Sequence, residues 1–131
     1  MAVYKKHFTV QEARAQIPGL RKRLIRIHDL LAEARADQTH EGVIVTAILR
    51  GNGKGPILTG AGSRKEEAQR MIEAIAEEGI QIKDLQTGLV DFPHFLNGDT
   101  EHEVLLCWRL DEDTIEYWHE IDTGFAGRNP L

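Results

Sequence analysis

A chain of 131 residues, 41% of them hydrophobic, can bury its own core and fits a single domain spanning residues 1–131, which excludes a disordered class. One cysteine excludes an internal disulfide, no run of roughly 18 apolar residues offers a membrane span, and MAVYKKHFTV lacks a signal-peptide pattern, so a cytoplasmic setting away from membranes is expected. The net charge of −5 is unevenly spread: residues 10–36 carry six basic and three acidic side chains, residues 80–131 three basic and eleven acidic. The two parts attract each other within one fold or across a dimer, and the acidic part repels a phosphate backbone, so no nucleic acid partner is expected.

Thr9-Val10-Gln11-Glu12 reads as a capping box that opens a helix. Val10, Ala13, Ile17, Leu20, Leu24, Ile27, Leu31 and Ala34 then alternate spacings of three and four, a heptad seam. Pro18 lies on the outer face of that seam, where it kinks the helix or begins its main segment. The seam fits an amphipathic helix packed in its own domain or a dimer seam, and Leu30 and Ile25 widen the stripe enough for both. Val43–Leu49 is β-branched and reads as a short strand or a helix end. Arg50-Gly51-Asn52-Gly53-Lys54-Gly55-Pro56 reads as a flexible connector, with neither Gly-Lys-Ser/Thr nor a third glycine after Gly60-Ala61-Gly62 to make a phosphate loop.

Ser63-Arg64-Lys65-Glu66 reads as a second capping box, with Ala68, Met71, Ile72 and Ile75 at helical spacing and Gly79 as the stop. This glutamate-rich helix suits the basic first helix as an antiparallel neighbour, which gives the Arg21-Lys22-Arg23 run a structural role. Strands are expected at Ile80–Lys83, Gly88–Phe92, Val104–Leu110 and Thr114–Ile121, with turns at Asn97-Gly98-Asp99 and Asp111-Glu112-Asp113. The fold class is therefore α+β: a long N-terminal helix and a second helix (helical part about 9–79) packed on a small C-terminal antiparallel meander sheet (about 80–131).

Five stretches stand out: Phe8-Thr9-x-x-Glu12-Ala13 with Ile17-Pro18-x-Leu20, then Gly88-Leu89-Val90-Asp91-Phe92-Pro93, Leu106-Cys107-Trp108-Arg109, Trp118-His119-Glu120 and Gly124-Phe125-x-Gly127-Arg128. On these the chain resembles the bacterial DUF2203 family, defined only as a domain of unknown function. The resemblance is dense over the last fifty-odd residues, looser over the first twenty, and absent from the glycine-rich middle. It implies a soluble bacterial protein and brings no established activity.

Both tryptophans, the cysteine and three of the six histidines lie from Gly88 onward, so the candidate site is sought there. Asp91, Arg109, His119, Glu120 and Arg128 are the candidate ligand-binding residues, since a histidine, a carboxylate and guanidinium groups in one recess suit a small anionic ligand. His94, Cys107 and His119 are candidate metal ligands, which Asp91 and Glu120 can join, although the spacing matches no zinc motif. A three-residue loop at Asp111–Asp113 places Cys107 opposite Tyr117 and Leu105 opposite His119; a loop of two or four places Cys107 opposite Glu116. Three readings stay open: a metal site, a small enzyme using His119 as acid or base, and a non-catalytic domain whose charges lock the sheet while Trp108, Trp118, Phe92 and Phe125 fill a core or an oligomer interface. The reading taken forward is a non-catalytic homo-oligomeric or ligand-binding domain, with a small enzyme or metal-binding protein centred on His119, Asp91 and Arg109 as the alternative.

The seam predicts a homodimer. Sedimentation at two concentrations should show dimers in the micromolar range, and a monomer there and above rejects the expectation. Leu24→Glu or Ile27→Glu should weaken association or unfold the chain, because either places a charge in the seam.

Overall fold

The computed structural model describes the backbone of residues 2–52 and 60–131, and the side chains of residues 2–36 and 62–131. Helix α1 runs Val10–Asn52 and helix α2 runs Gly60–Glu77. Five strands follow: β1 (Gln81–Asp84), β2 (Leu89–Phe95), β3 (Glu103–Trp108), β4 (Tyr117–Glu120) and β5 (Asn129–Pro130). They pair in chain order, each antiparallel to the next, so the expected α+β meander forms with one strand more than expected.

The first capping box closes in both directions: the Thr9 N–H donates to Glu12 Oε1 at 2.9 Å and the Glu12 N–H to Thr9 Oγ1 at 3.0 Å. The helix then continues through exposed Pro18 to Asn52, so Val43–Leu49 is helical, as are Arg50, Gly51 and Asn52, which were expected in the connector. The remainder of that connector, residues 53–59, lies outside the described residues. The second capping box does not start α2, which already begins at Gly60 and leaves Ser63 inside it. Two glycines cost a helix only about 1 kcal/mol each, too little to stop it in the turn before Ser63. At its other end α2 closes in a Schellman motif: the Gly79 N–H donates to the Ala76 carbonyl and the Ile80 N–H to the Ile75 carbonyl, with Gly79 at φ 92°.

From Ala13 to Ala34 the seam is buried within the chain, with Leu20, Leu24, Ile27 and Leu30 packed against Ala68, Ile75 and the inner face of the sheet. A helix amphipathic toward its own domain accounts for that burial, and Ile25 is left exposed on the other side. Arg23 holds Glu78 through two bonds of 2.7 and 3.0 Å, Arg26 meets Glu67, and Arg64 meets Glu33. These exposed pairs contribute about 0–1 kcal/mol each, against roughly 1.5–3 for each buried aliphatic side chain. Arg21 does something different. Its guanidinium donates to the carbonyls of Leu110, Glu112 and Asp113 and lies 5.2 Å from the Trp108 ring.

Such captures explain why β3 and β4 are shorter than expected. The Leu110 carbonyl is taken by Arg21 and the Ile115 carbonyl by Arg14 at 2.9 Å, so neither is free for a ladder, and in the connection between them Arg21 and the Trp108 indole N–H hold the Glu112 and Asp113 carbonyls. Strand β2 is longer than expected and runs through Pro93. The Pro93 carbonyl accepts the Phe8 N–H at 2.7 Å on the side away from β3, so the missing proline N–H faces a place where no ladder bond is required. Ahead of Phe8 the N-terminal segment is strapped to β3, where the Glu103 carboxylate accepts the Val3 and Tyr4 N–H groups and pairs with His7.

After β4 the chain folds back through a short turn at Phe125–Gly127 and returns as β5. Arg128 anchors this tail. Its guanidinium forks onto Glu112 at 2.6 and 2.8 Å, reaches the Cys107 carbonyl at 3.2 Å, and lies 4.2 Å from the Tyr117 ring and 4.5 Å from Phe125. Burial pushes the Glu112 carboxyl up, but the Arg128 guanidinium and the Arg109 N–H pull harder and hold it below its ordinary value of 4.5.

Two outcomes follow from this geometry. Gly88 stands at φ 68° with Leu110 Cβ only 2.5 Å from where a methyl would be, so Gly88→Ala should cost about 1–3 kcal/mol in a urea titration. Glu112→Gln should cost on the order of 2 kcal/mol at pH 7. Because the folded-state carboxyl is depressed, the pair's contribution is full above pH 4.5 and fades as pH falls through the lowered value. The Gln variant should lack that part of the acid limb in a melting-temperature series, and an unchanged limb would count against the clamp.

Candidate functional site

Alternation along the strands sorts the side chains between two faces. Val90, Phe92, Leu106 and Trp108 join the helices in the core, which turns their neighbours Asp91, Leu105 and Cys107 to the outer face. The β3–β4 register sets Cys107 against Tyr117 and Leu105 against His119, the outcome expected of an odd loop length, so His119 also lies on the outer face. Asp91 pairs directly with Cys107 across β2 and β3. One oxygen, one sulfur and one nitrogen, from three adjacent strands, thus come within 4.8 Å of one another. All three residues are buried, with 2%, 0% and 1% exposure for Asp91, Cys107 and His119.

His119 is held at both ring nitrogens. Nδ1 lies 2.7 Å from the Glu120 carbonyl, which can only accept, so Nδ1 carries a proton and donates. That turns Nε2 toward Asp91 Oδ1 at 3.2 Å, and the contact requires one proton between the two atoms. Beside them burial pushes the Cys107 thiol up to about 12, with the Asp91 charge adding to the rise and Arg128 opposing it. A free thiol in this setting is protonated at neutral pH and is a poor nucleophile.

The buried group is reached from one side. A recess of about 340 Å³ has Asp91 and His119 in its lining, apolar walls from Leu89, Leu105, Ile121 and Phe125, and exposed Lys83 and Asp122. The remaining expected site residues lie elsewhere. Arg109 binds Asp111 at 2.7 and 3.1 Å and rests 5.1 Å from the Phe125 ring. Arg128 is engaged by Glu112 and touches the trio through the Cys107 carbonyl, with its Nε–H buried and unpartnered among the described residues. Glu120 contributes its carbonyl to His119 while its carboxylate meets His102 at 2.8 Å. His94 instead donates from Nδ1 to the Phe8 carbonyl at 2.7 Å and takes no part. So two of the three candidate metal ligands converge and Asp91 completes the set. The recess itself was missed: Leu105, Ile121 and Phe125 look like ordinary apolar residues until the register places them around His119.

Three of the five stretches supply the trio, Asp91 from GLVDFP, Cys107 from LCWR and His119 from WHE, and a fourth, GFAGR, supplies the Arg128 that touches it. No curated protein and no solved structure matches the chain. The pattern of the family described as "Uncharacterized conserved protein (DUF2203)" matches residues 6–131, nearly the whole sequence, and the chain belongs to the DUF2203 family.

Proposed function

We propose that this protein binds a divalent transition-metal ion through Asp91, Cys107 and His119, with a further coordination position opening into the recess. The observation that carries the reading is the convergence of three different ligand types, with His119 Nδ1 tied to a main-chain carbonyl so that Nε2 points at the centre. That second-shell bond is the arrangement that fixes a metal-binding imidazole. Thiolate and imidazole together favour zinc over magnesium or calcium, which take oxygen ligands. A divalent ion with one carboxylate and one thiolate is electrically neutral, which suits a site with so little exposure.

Size and energy are compatible with the reading. Zinc bond lengths in a tetrahedron place ligand atoms roughly 3.3–3.6 Å apart. Asp91 and His119 already lie 3.2 Å apart, and no pair of the three exceeds 4.8 Å, so side-chain adjustments of about an ångström close the site. Raising the thiol from 9.0 to about 12 costs a bound metal roughly 4 kcal/mol. Structural zinc sites with a full ligand set return on the order of 10–16 kcal/mol, well above this cost, and binding strengthens with rising pH as the thiol proton is released. Three protein ligands with a fourth position facing a recess is the pattern of zinc sites that act on small molecules.

A second reading draws on the same recess: without a metal, the proton between His119 and Asp91 is available to a small organic molecule lodged against Leu105 and Phe125. The two separate experimentally. Metal analysis of protein purified without chelators should give about one equivalent, and zinc at a hundredfold excess over Kd should stabilise the fold by about 2.7 kcal/mol. Cobalt should bind with a thiolate charge-transfer band that Cys107→Ser abolishes, while Arg109→Met keeps it. Absence of bound metal together with no zinc-dependent change in melting temperature would overturn the proposal and leave the organic-ligand reading.

A further inference from the structure

A second recess, which shares only Lys83 with the lining of the first, lies where the N-terminal segment passes the end of α2 and the outer edge of β1. It has a volume of about 590 Å³ and is lined by Ile72 and Ala76 from α2, Ile80 and Ile82 around the start of β1, and the three lysines Lys5, Lys6 and Lys83. The volume is within the roughly 300–1,000 Å³ usual for small-molecule sites.

Three features make it more than a gap between elements. The lysines come from different parts of the chain and are brought together by fixed contacts. Lys5 and Lys6 belong to the segment pinned by the Phe8–Pro93 main-chain bond and by the Glu103 carboxylate, and Lys83 belongs to β1. The Lys6 stem packs so closely on Gly79 that a methyl there would lie 2.7 Å from its Cγ, and its amine stands 5.1 Å from the Phe8 ring. None of the three forms an ion pair with another described residue, whereas Arg23, Arg26, Arg64, Arg109 and Arg128 all do. Glu77 is the one carboxylate in the lining, so the recess is positive on a protein whose net charge is −5. Finally, among the described residues β1 pairs only with β2 and forms an edge of the sheet, which leaves main-chain groups on its other side for a ligand.

We infer that this recess binds an amphipathic anion, with a carboxylate or phosphate head group held by Lys5, Lys6 and Lys83 and an apolar tail laid against Ile72, Ala76 and Ile82. Ammonium groups recognise either head as point charges, and both contacts are charge-assisted. The acidic excess of residues 80–131 repels such a ligand from the rest of the sheet, so on that part of the molecule the charge pattern directs it to this place. The apolar walls supply affinity in proportion to the tail area they cover.

The test uses the full chain and three probes at submicellar concentration: decanoate, decyl phosphate and decanol. Calorimetry and thermal shift should show binding of at least one of the two anions, weakening as salt is raised, with decanol at least tenfold weaker. Binding by one anion alone identifies the head group, and binding by both identifies the charge as the determinant. Lys5→Gln/Lys6→Gln/Lys83→Gln should lose at least tenfold in affinity with the melting temperature of the free protein little changed, because the three side chains reach solvent, and the corresponding triple Arg variant should retain binding. Decanol binding as tightly as the anions, equal binding by the Gln variant, or no binding of either anion overturns the inference. None of these outcomes depends on Cys107 or His119, so the metal reading stands or falls separately.

Discussion

The two-residue period of β2, β3 and β4, locked by their mutual register, is the constraint from which both the core and the candidate site follow. Once Val90, Phe92, Leu106 and Trp108 are committed to the helices, Asp91, Leu105 and Cys107 have no choice but the opposite face. A slip of one residue would exchange the two sets and bury a carboxylate and a thiol among leucines. The apolar burial on the inner face, roughly 1.5–3 kcal/mol for each large side chain, therefore holds the polar trio in place without those residues contributing to it.

What closes the outer face is the C-terminal tail. Arg128 joins four things that would otherwise be loosely related: the β3–β4 connection through Glu112, the β3 main chain through the Cys107 carbonyl, and the rings of Tyr117 and Phe125. Arg21 holds the same connection from the helix side by taking three of its carbonyls. The connection is thus gripped by a guanidinium from each side, which holds Glu112 inward while Asp111 and Asp113 stay exposed. The same tail places Phe125 in the wall of the recess, so fold closure and access to His119 share one segment.

Much of this was legible in the sequence because it rests on short-range pattern. The Thr9–Glu12 cap, the buried stripe from Ala13 to Ala34, the Gly79 stop and the meander all follow from spacing alone. Errors arose where a distant partner overrides a local signal. The Ser63 cap lost to a helix that had already begun, and the facing ends of β3 and β4 were set by Arg21 and Arg14, far away in the sequence. The site was half legible for the same reason. Parity along each strand puts Cys107 and His119 on definite faces, but whether those faces coincide depends on a register that odd and even loop lengths decide differently. Arg109 and Arg128 were grouped with them by residue type, and the neighbours Asp111 and Glu112 claim both guanidinium groups instead.

Stability gives little reason for an Asp, a Cys and a His to occupy adjoining buried positions. A buried ion pair roughly breaks even against apolar residues of similar volume, and replacement of such groups is often neutral or stabilising by about 1–4 kcal/mol. Valine or leucine at Asp91 and His119 would extend the apolar surface already formed by Leu89, Leu105 and Ile121. Nor does the trio terminate a strand, cap a helix or bridge the sheet to the helices, since it lies on the face turned away from them. What these residues have that an apolar set lacks is three ligand-type atoms within 4.8 Å of one another and a recess lined by Asp91 and His119. The His119 ring is also fixed by a main-chain carbonyl rather than by another member of the trio, so its orientation does not depend on the pair with Asp91. The ring therefore presents its second nitrogen to Asp91 in an orientation that the main chain alone dictates.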